Sequence, residues 1–235
     1  MCGRFTGLTY EQTLAAIDDL SEQDPPRFVP ASAAPDADYD WPVQQPTVVP
    51  GVPAWVIVPS GKAADGRPIP TAQQLTFGFA LTWKDGLVFN TRFESALADK
   101  GMWAGALDKG RCLVPVREFF EPHNTERVLS PRTGRPIKRQ YRFFLRDVPV
   151  TYLGGVCQDG RFSLVTVPPN RIMAPIHRRM PLILLRQEAQ HWLYSATEEI
   201  RANAASYSDR NGIALTAAPE TDDAPLETPN QLPLF

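Results

Sequence analysis

The chain has 235 residues, 43% of them hydrophobic, and carries a formal net charge of −2. That supplies one large core or two small ones, and no apolar run approaches the roughly 20 residues that a membrane span needs. Its 24 prolines, about twice average usage, are spread throughout and argue for a loop-rich, largely β or α+β fold over a long helical bundle. The N-terminal residues contain no apolar run of leader type, so no leader segment is expected. Cys2, Cys112 and Cys157 form no C-x-x-C pair and leave one thiol over under any disulfide scheme, so a reducing cytoplasm is expected. His123, His177 and His191 lack ligand-type spacing, and no structural zinc is expected.

In chain order, Thr9-Tyr10-Glu11-Gln12 has the spacing of a capping box, with Leu14, Ile17 and Leu20 following on one face. This predicts a short amphipathic helix. Residues 24–53, rich in Pro, Ala and Asp, read as a long surface loop. Residues 54–59 (AWVIVP) and 75–81 (LTFGFAL) predict strands on either side of the turn-rich stretch 60–70. A short strand over 87–90 leads into a helical stretch over 94–106. Strands are then predicted over 111–115, 118–121, 140–145, 150–157, 162–167 and 181–185. Gly154-Gly155 and Asp159-Gly160 supply bulge and hairpin signals. Residues 186–205 read as helix and 212–216 as a last strand. Strand runs with interspersed helices, without regular βαβ alternation, predict an α+β, β-rich single domain of mainly antiparallel sheets with peripheral short helices. Its bounds are residues 2–216, followed by an acidic, Pro-containing tail over 217–235.

Charge is unevenly distributed. From residue 219 onward the charged side chains are Glu220, Asp222, Asp223 and Glu227, all acidic; without them the formal charge of −2 becomes +2. Between 132 and 146 lie Arg132, Arg135, Lys138, Arg139, Arg142 and Arg146, a run that suits a solvated hairpin or a polyanion.

Several stretches carry chemistry. In Met1-Cys2-Gly3-Arg4-Phe5, removal of Met1 would leave Cys2 with an α-amine and a thiol on adjacent carbons. Such a 1,2-aminothiol condenses with an aldehyde to an imine and closes on it as a thiazolidine. The free amine titrates near ~8 and the thiol near ~8.5, so both are expected within reach at neutral pH. Asn90-Thr91-Arg92-Phe93-Glu94 reads either as a helix N-cap or as a polar cluster at a strand end. In Glu118-Phe119-Phe120-Glu121-Pro122 a carboxylate ends an aromatic strand, where burial would raise its pKa toward a general-acid role. His177, Arg178 and Arg179 lead into a hydrophobic strand, and two adjacent guanidiniums suit an anion.

These pieces together, MCGRF, NxRxE, RCLVP with FFEP, and IHxRMPLIL, closely resemble the SOS-response-associated peptidase (SRAP) family, over roughly residues 2–216. The resemblance implies a domain of curved sheets that binds single-stranded DNA and crosslinks abasic sites through a thiazolidine, shielding the lesion during replication and the DNA damage response. It implies that Cys2 is the nucleophile, Asn90 orients the substrate, Glu121 is the acid/base, and His177 assists ring opening and proton transfer. Arg4, Arg92 and Arg179 match positions that meet DNA phosphates, with Arg178 and Trp83 as further candidate DNA contacts. The activity implied is lyase-like, with thiol autopeptidase chemistry as a companion, and it calls for no metal or organic cofactor. The protein is expected to be a monomer in the cytoplasm, associated with the nucleoid. Two features depart from the family: Pro122 stands where Trp is usual, and the usual Tyr-Asn-x-Ala-Pro stretch is absent from 35–53.

Two other classes compete: an N-terminal-nucleophile hydrolase in which Cys2 attacks an amide, and a DNA-binding module without chemistry that holds DNA through its arginines. The end of the chain adds a partner. Gln231, Leu232, Leu234 and Phe235, in the pentapeptide QLPLF, resemble the short peptides that bind the bacterial sliding clamp. They can equally fold back on the domain as an apolar staple.

Overall fold

A computed structural model of the chain describes residues 2–21, 46–62, 68–81, 84–146 and 148–226. β1 (Arg4–Gly7) leads into α1 (Tyr10–Ser21). β2 (Thr47–Val48), β3 (Pro53–Lys62), β4 (Pro68–Phe77), β5 (Phe79–Leu81), β6 (Lys84–Val88) and β7 (Asn90–Arg92) follow, then α2 (Phe93–Leu97) and α3 (Ala106–Lys109). The second half opens with β8 (Arg111–Leu129), β9 (Pro136–Leu145), β10 (Thr151–Gln158) and β11 (Arg161–Val167). After β12 (Met180–Pro181) and β13 (Ile183–Leu184) come α4 (Arg186–Tyr194), α5 (Thr197–Ala202), α6 (Ala204–Ser208) and β14 (Leu215–Pro219).

All of these strands except β5 and β6 join one twelve-stranded sheet, ordered β13-β10-β11-β4-β3-β8-β1-β2 along its main path. Pairing is antiparallel except where β11 lies parallel to β4 and to β7. Because β8 also pairs with β10, the path returns to itself through β10, β11, β4, β3 and β8. A sheet that closes in this way is curved, and the closure removes edges that an open sheet exposes. The β-rich α+β class read from the sequence is the class observed. Among the described residues no helix is long and apolar enough to cross a membrane.

β8 is the spine of the fold. The sequence predicts two strands there, over 111–115 and 118–121, and the chain instead makes a single strand of 19 residues. Pro115 withdraws one N–H donor where β8 passes from β10 to β1, so the ladder changes partner without ending. The helix predicted over 94–106 is broken into α2, a 3-10 turn over Gly101–Trp103, and α3. Asp99, Gly101 and Gly105 all have positive φ in that stretch, which no α-helix tolerates. Gly78 likewise divides the predicted strand over 75–81: its φ is +97° and an added Cβ would lie 3.1 Å from Leu87 Cβ.

α1 begins with the capping box read from the sequence: Thr9 N–H donates to Gln12 Oε1 at 2.9 Å, and Gln12 N–H to Thr9 Oγ1 at 3.3 Å. Its buried face differs from the one expected, since Thr13, Ala16 and Leu20 are buried and Leu14 is exposed. The Tyr152 hydroxyl donates to Ala16 O at 2.8 Å, which turns the Ala16 side of the helix to the sheet. β14 pairs with β9 from Leu215 to Pro219, so the domain boundary expected at residue 216 falls inside a strand. Glu220 N–H continues that ladder to Gln140 O at 2.9 Å, and Leu226 N–H reaches Arg127 O at 2.7 Å.

The core ties the amino terminus down. Phe5 is fully buried and meets Phe77 edge to face at 5.4 Å between centroids. Burying such a ring stabilises by about 1.5–3 kcal/mol. That anchor holds β1 on β8 and thereby fixes where Cys2 lies.

Candidate functional site

The register of β1 on β8 sets Arg4 opposite Phe120 and Phe5 opposite Phe119. This carries the terminus to the end of the aromatic run, where the Glu121 carboxylate acts on the Cys2 thiol. Cys2 is fully buried, and its Sγ donates to Arg4 O at 3.7 Å. Burial first, and the nearby Glu121 second, push the thiol far above its ordinary pKa. The sequence reading placed this thiol within reach of ionisation at neutral pH; the folded site keeps it protonated, because a thiolate there would lose its water and face a carboxylate.

Asn90 comes from β7, a different part of the sheet from β1 and β8. Its strand β7 lies parallel to β11 with Asn90 against Leu164, and a buried hydroxyl pair, Thr91 Oγ1 with Ser163 Oγ, locks the two strands together. The position read as a helix N-cap is not one: the cap of α2 is Arg92, which makes no side-chain cap bond. Asn90 Nδ2 instead donates to Cys2 O at 2.9 Å. Its Oδ1 is buried and has no hydrogen-bond partner among the described residues.

Glu121 is fully buried on β8, where its backbone pairs with Tyr141. Burial raises its pKa to about 7. The sequence reading of a carboxyl raised by an aromatic strand agrees with this environment. His177 stands across from it, with Nε2 3.9 Å from Glu121 Oε2. The His177 turn is built by Asn170, whose Oδ1 accepts from the N–H groups of Ile172 and Met173 at 3.1 and 2.9 Å. Asn124 N–H then ties the turn to β8 through Ile176 O at 2.9 Å.

His177 Nδ1 lies 2.9 Å from Arg179 O and 3.2 Å from Arg179 N. In the tautomer that donates Nδ1–H to Arg179 O, the Nε2 lone pair faces Glu121. Burial is the largest influence on the ring and lowers its pKa, and the cations Lys138 and Arg178 add to the effect. A neutral imidazole beside a carboxyl that titrates near 7 is a pair able to hold one proton and pass it on.

The four residues expected to carry the chemistry, Cys2, Asn90, Glu121 and His177, thus meet at one place. The expected DNA contacts are less uniform. Arg4 lies 4.0 Å over the Phe120 ring and forks onto Glu220. Arg179 forks onto Glu94, with a further bond to Thr166 O at 2.5 Å. Arg92 and Arg178 are exposed. Trp83 and the tail residues Gln231, Leu232, Leu234 and Phe235 lie outside the described residues. Pro122 pairs with Gln140, after which the β8–β9 register shifts up to Arg127. The sequence does not show the ion-pair partners of two carboxylates: Glu220, part of an acidic run, and Glu94, the last residue of the NxRxE motif and the start of a helical stretch. Their partners lie 216 and 85 positions away, so no local spacing announces them.

Both the sequence and the fold have known counterparts. The chain belongs to the SOS response associated peptidase (SRAP) family, whose family model matches residues 1–219. It is 26% identical over 217 residues to the abasic site processing protein YobE of Bacillus subtilis, covering 82% of each. It is equally 26% identical over 217 residues to the abasic site processing protein YoqW of Bacillus subtilis and of Bacillus phage SPbeta, covering 80% of those chains. Among solved structures, a phage-related protein of Bordetella bronchiseptica shares the fold with a TM-score of 0.61, 17% identity and 93% coverage of both chains. A second protein of that organism aligns with a TM-score of 0.60 and 16% identity over 94% of this chain and all of the other.

Proposed function

We propose that this protein binds single-stranded DNA and joins covalently to abasic sites through Cys2, protecting the lesion during DNA damage. The observation that carries this reading is the buried Glu121 carboxyl, with a pKa near 7, set between the Cys2 thiol and His177 Nε2. The name shared by the relatives, abasic site processing protein, supports the choice of substrate.

An abasic deoxyribose is mostly a closed hemiacetal, so it must open before it can react. Glu121 in its acid form protonates the ring oxygen as that bond to the anomeric carbon breaks. The anomeric hydroxyl gives up its proton to the His177 Nε2 lone pair, and an aldehyde results. With Met1 removed, the Cys2 amine adds to the aldehyde and water leaves, forming an imine. The Cys2 sulfur then bonds to the imine carbon and its proton passes to the nitrogen, closing the thiazolidine. Because burial holds the thiol protonated, its proton must leave as the S–C bond forms, and the imine nitrogen is there to take it.

Asn90 holds the Cys2 carbonyl and keeps Oδ1 for the amine or the sugar. Arg4, Arg92 and Arg178 hold phosphates on either side of the lesion, binding the strand without reading its bases. Residues 231–235 tether the protein to the sliding clamp and raise its concentration at exposed lesions. The test is a denaturing gel of the mature chain with an abasic oligonucleotide: a shifted band that survives denaturation is expected. Equal yields with an intact oligonucleotide, or none with either, would end the reading.

A further inference from the structure

We infer that Glu94 is a positioning residue: it clamps Arg179, whose backbone carbonyl orients the His177 ring toward Glu121. The inference rests on the reading of Glu121 and His177 as the proton-handling pair. Glu94 Oε1 and Oε2 accept from Arg179 Nη1 and Nη2 at 2.8 and 2.9 Å, and Nη2 also donates to Thr166 O at 2.5 Å. A forked carboxylate–guanidinium contact aligns both planes, and with the bond to Thr166 O it makes three bonds that hold the Arg179 side chain in this orientation. Arg179 O is the acceptor for His177 Nδ1–H at 2.9 Å. Glu94 opens the helix that follows Asn90, and Thr166 lies opposite Arg92 in the β7–β11 pair. The Glu94–Arg179 link therefore joins the segment that holds the Cys2 carbonyl to the turn that carries His177, and the two halves of the site move as one.

The groups acting on His177 are Glu121 from β8, the amino-terminal ammonium, Lys138 from β9, and Arg178 and the Arg179 backbone from its own turn. The bond to Arg179 O is the one that favours the protonated ring; burial and the cations oppose it. If Glu94 no longer holds Arg179, that bond loosens and His177 should titrate at still lower pH. Proton transfer should slow even with DNA saturating, on the order of tenfold, a part of the 10²–10⁴ that a placed acid–base group contributes.

The experiment uses the full chain with Glu94→Ala, Glu94→Gln and Glu94→Asp. Two readouts are taken: crosslinking rate against pH at saturating abasic oligonucleotide, and His177 titration by NMR without DNA. Expected are a slowed rate and a limb displaced to lower pH for Glu94→Ala and Glu94→Gln, partial rescue by Glu94→Asp, and a lowered His177 pKa in the NMR titration. Wild-type rates and titration with only a lower melting temperature would overturn the inference and leave Glu94 as a plain stabilising contact. Weakened DNA binding with an unchanged rate at saturation would also overturn it, assigning Glu94 to Arg179 as a phosphate contact. Where Glu94→Ala does not fold, the milder Glu94→Gln decides. If wild type forms no crosslink, the reading of the site has failed, and the NMR titration still judges the brace by itself.

Discussion

Arg4 and Glu220, at opposite ends of the chain, form a forked ion pair at 2.8 and 2.5 Å while the guanidinium rests 4.0 Å over Phe120. The carboxylate occupies the two donors that a DNA phosphate would use. Both side chains are about a third exposed, at 30% and 32%, so the pair is worth only ~0.2–1 kcal/mol. A phosphate can therefore displace Glu220 at modest cost. Glu220→Gln should tighten single-strand binding by about two- to fivefold at low salt. Arg4→Ala should weaken binding and reduce the slope of log K against log salt by about one. In an Arg4→Ala background, Glu220→Gln should do nothing more. Fluorescence anisotropy across a salt series checks all three.

Cys2 is needed for both of its groups. Cys2→Ala should abolish the stable crosslink, and Cys2→Ser should leave at most a labile imine or oxazolidine. Mass spectrometry of active protein should show the chain beginning at Cys2. Active protein that retains Met1 would sink the mechanism.

Glu121 links pH to both rate and stability. Glu121→Gln should slow crosslinking by about 10²-fold or more with little change in DNA affinity. The rate limb near pH 7, where the carboxyl titrates, should vanish. Stability should move the other way. A carboxyl whose folded pKa is raised from 4.5 to about 7 destabilises the fold as pH rises through that window, and the cost is complete above pH 7. The amide escapes this cost, so Glu121→Gln should equal wild type near pH 4 and exceed it at pH 8 by about 3 kcal/mol at most. Urea unfolding at the two pH values measures the difference. A variant less stable than wild type at pH 8 would contradict the burial argument.

The tail is tested with a partner. A Leu234→Ala/Phe235→Ala chain should lose retention on purified sliding clamp, keep its melting temperature, and crosslink a short abasic oligonucleotide at the wild-type rate. Equal retention by both chains ends the clamp reading. A fall in melting temperature would show instead that these residues staple the domain.

How much of this was legible in the linear chain depends on how far apart the partners are. The capping box at Thr9 and Gln12, the β-rich class and the motifs around Cys2, Asn90, Glu121 and His177 are carried by residues a few positions apart. The physics that marks them is local: backbone donors need caps, strands alternate, and a carboxyl closing an aromatic run is headed for burial. The helix over 94–106 misled for a similar reason, because nothing in its composition shows that Asp99 must take a positive φ. What tertiary structure alone decided is which charges meet. Arg4 finds Glu220 because β14 lies on β9, and Arg179 finds Glu94 because β7 lies on β11. The Cys2 thiol is protonated because Phe5 draws the terminus into the core beside Glu121. Ion pairing and desolvation depend on distances through space, which the order of residues does not contain until the sheet closes.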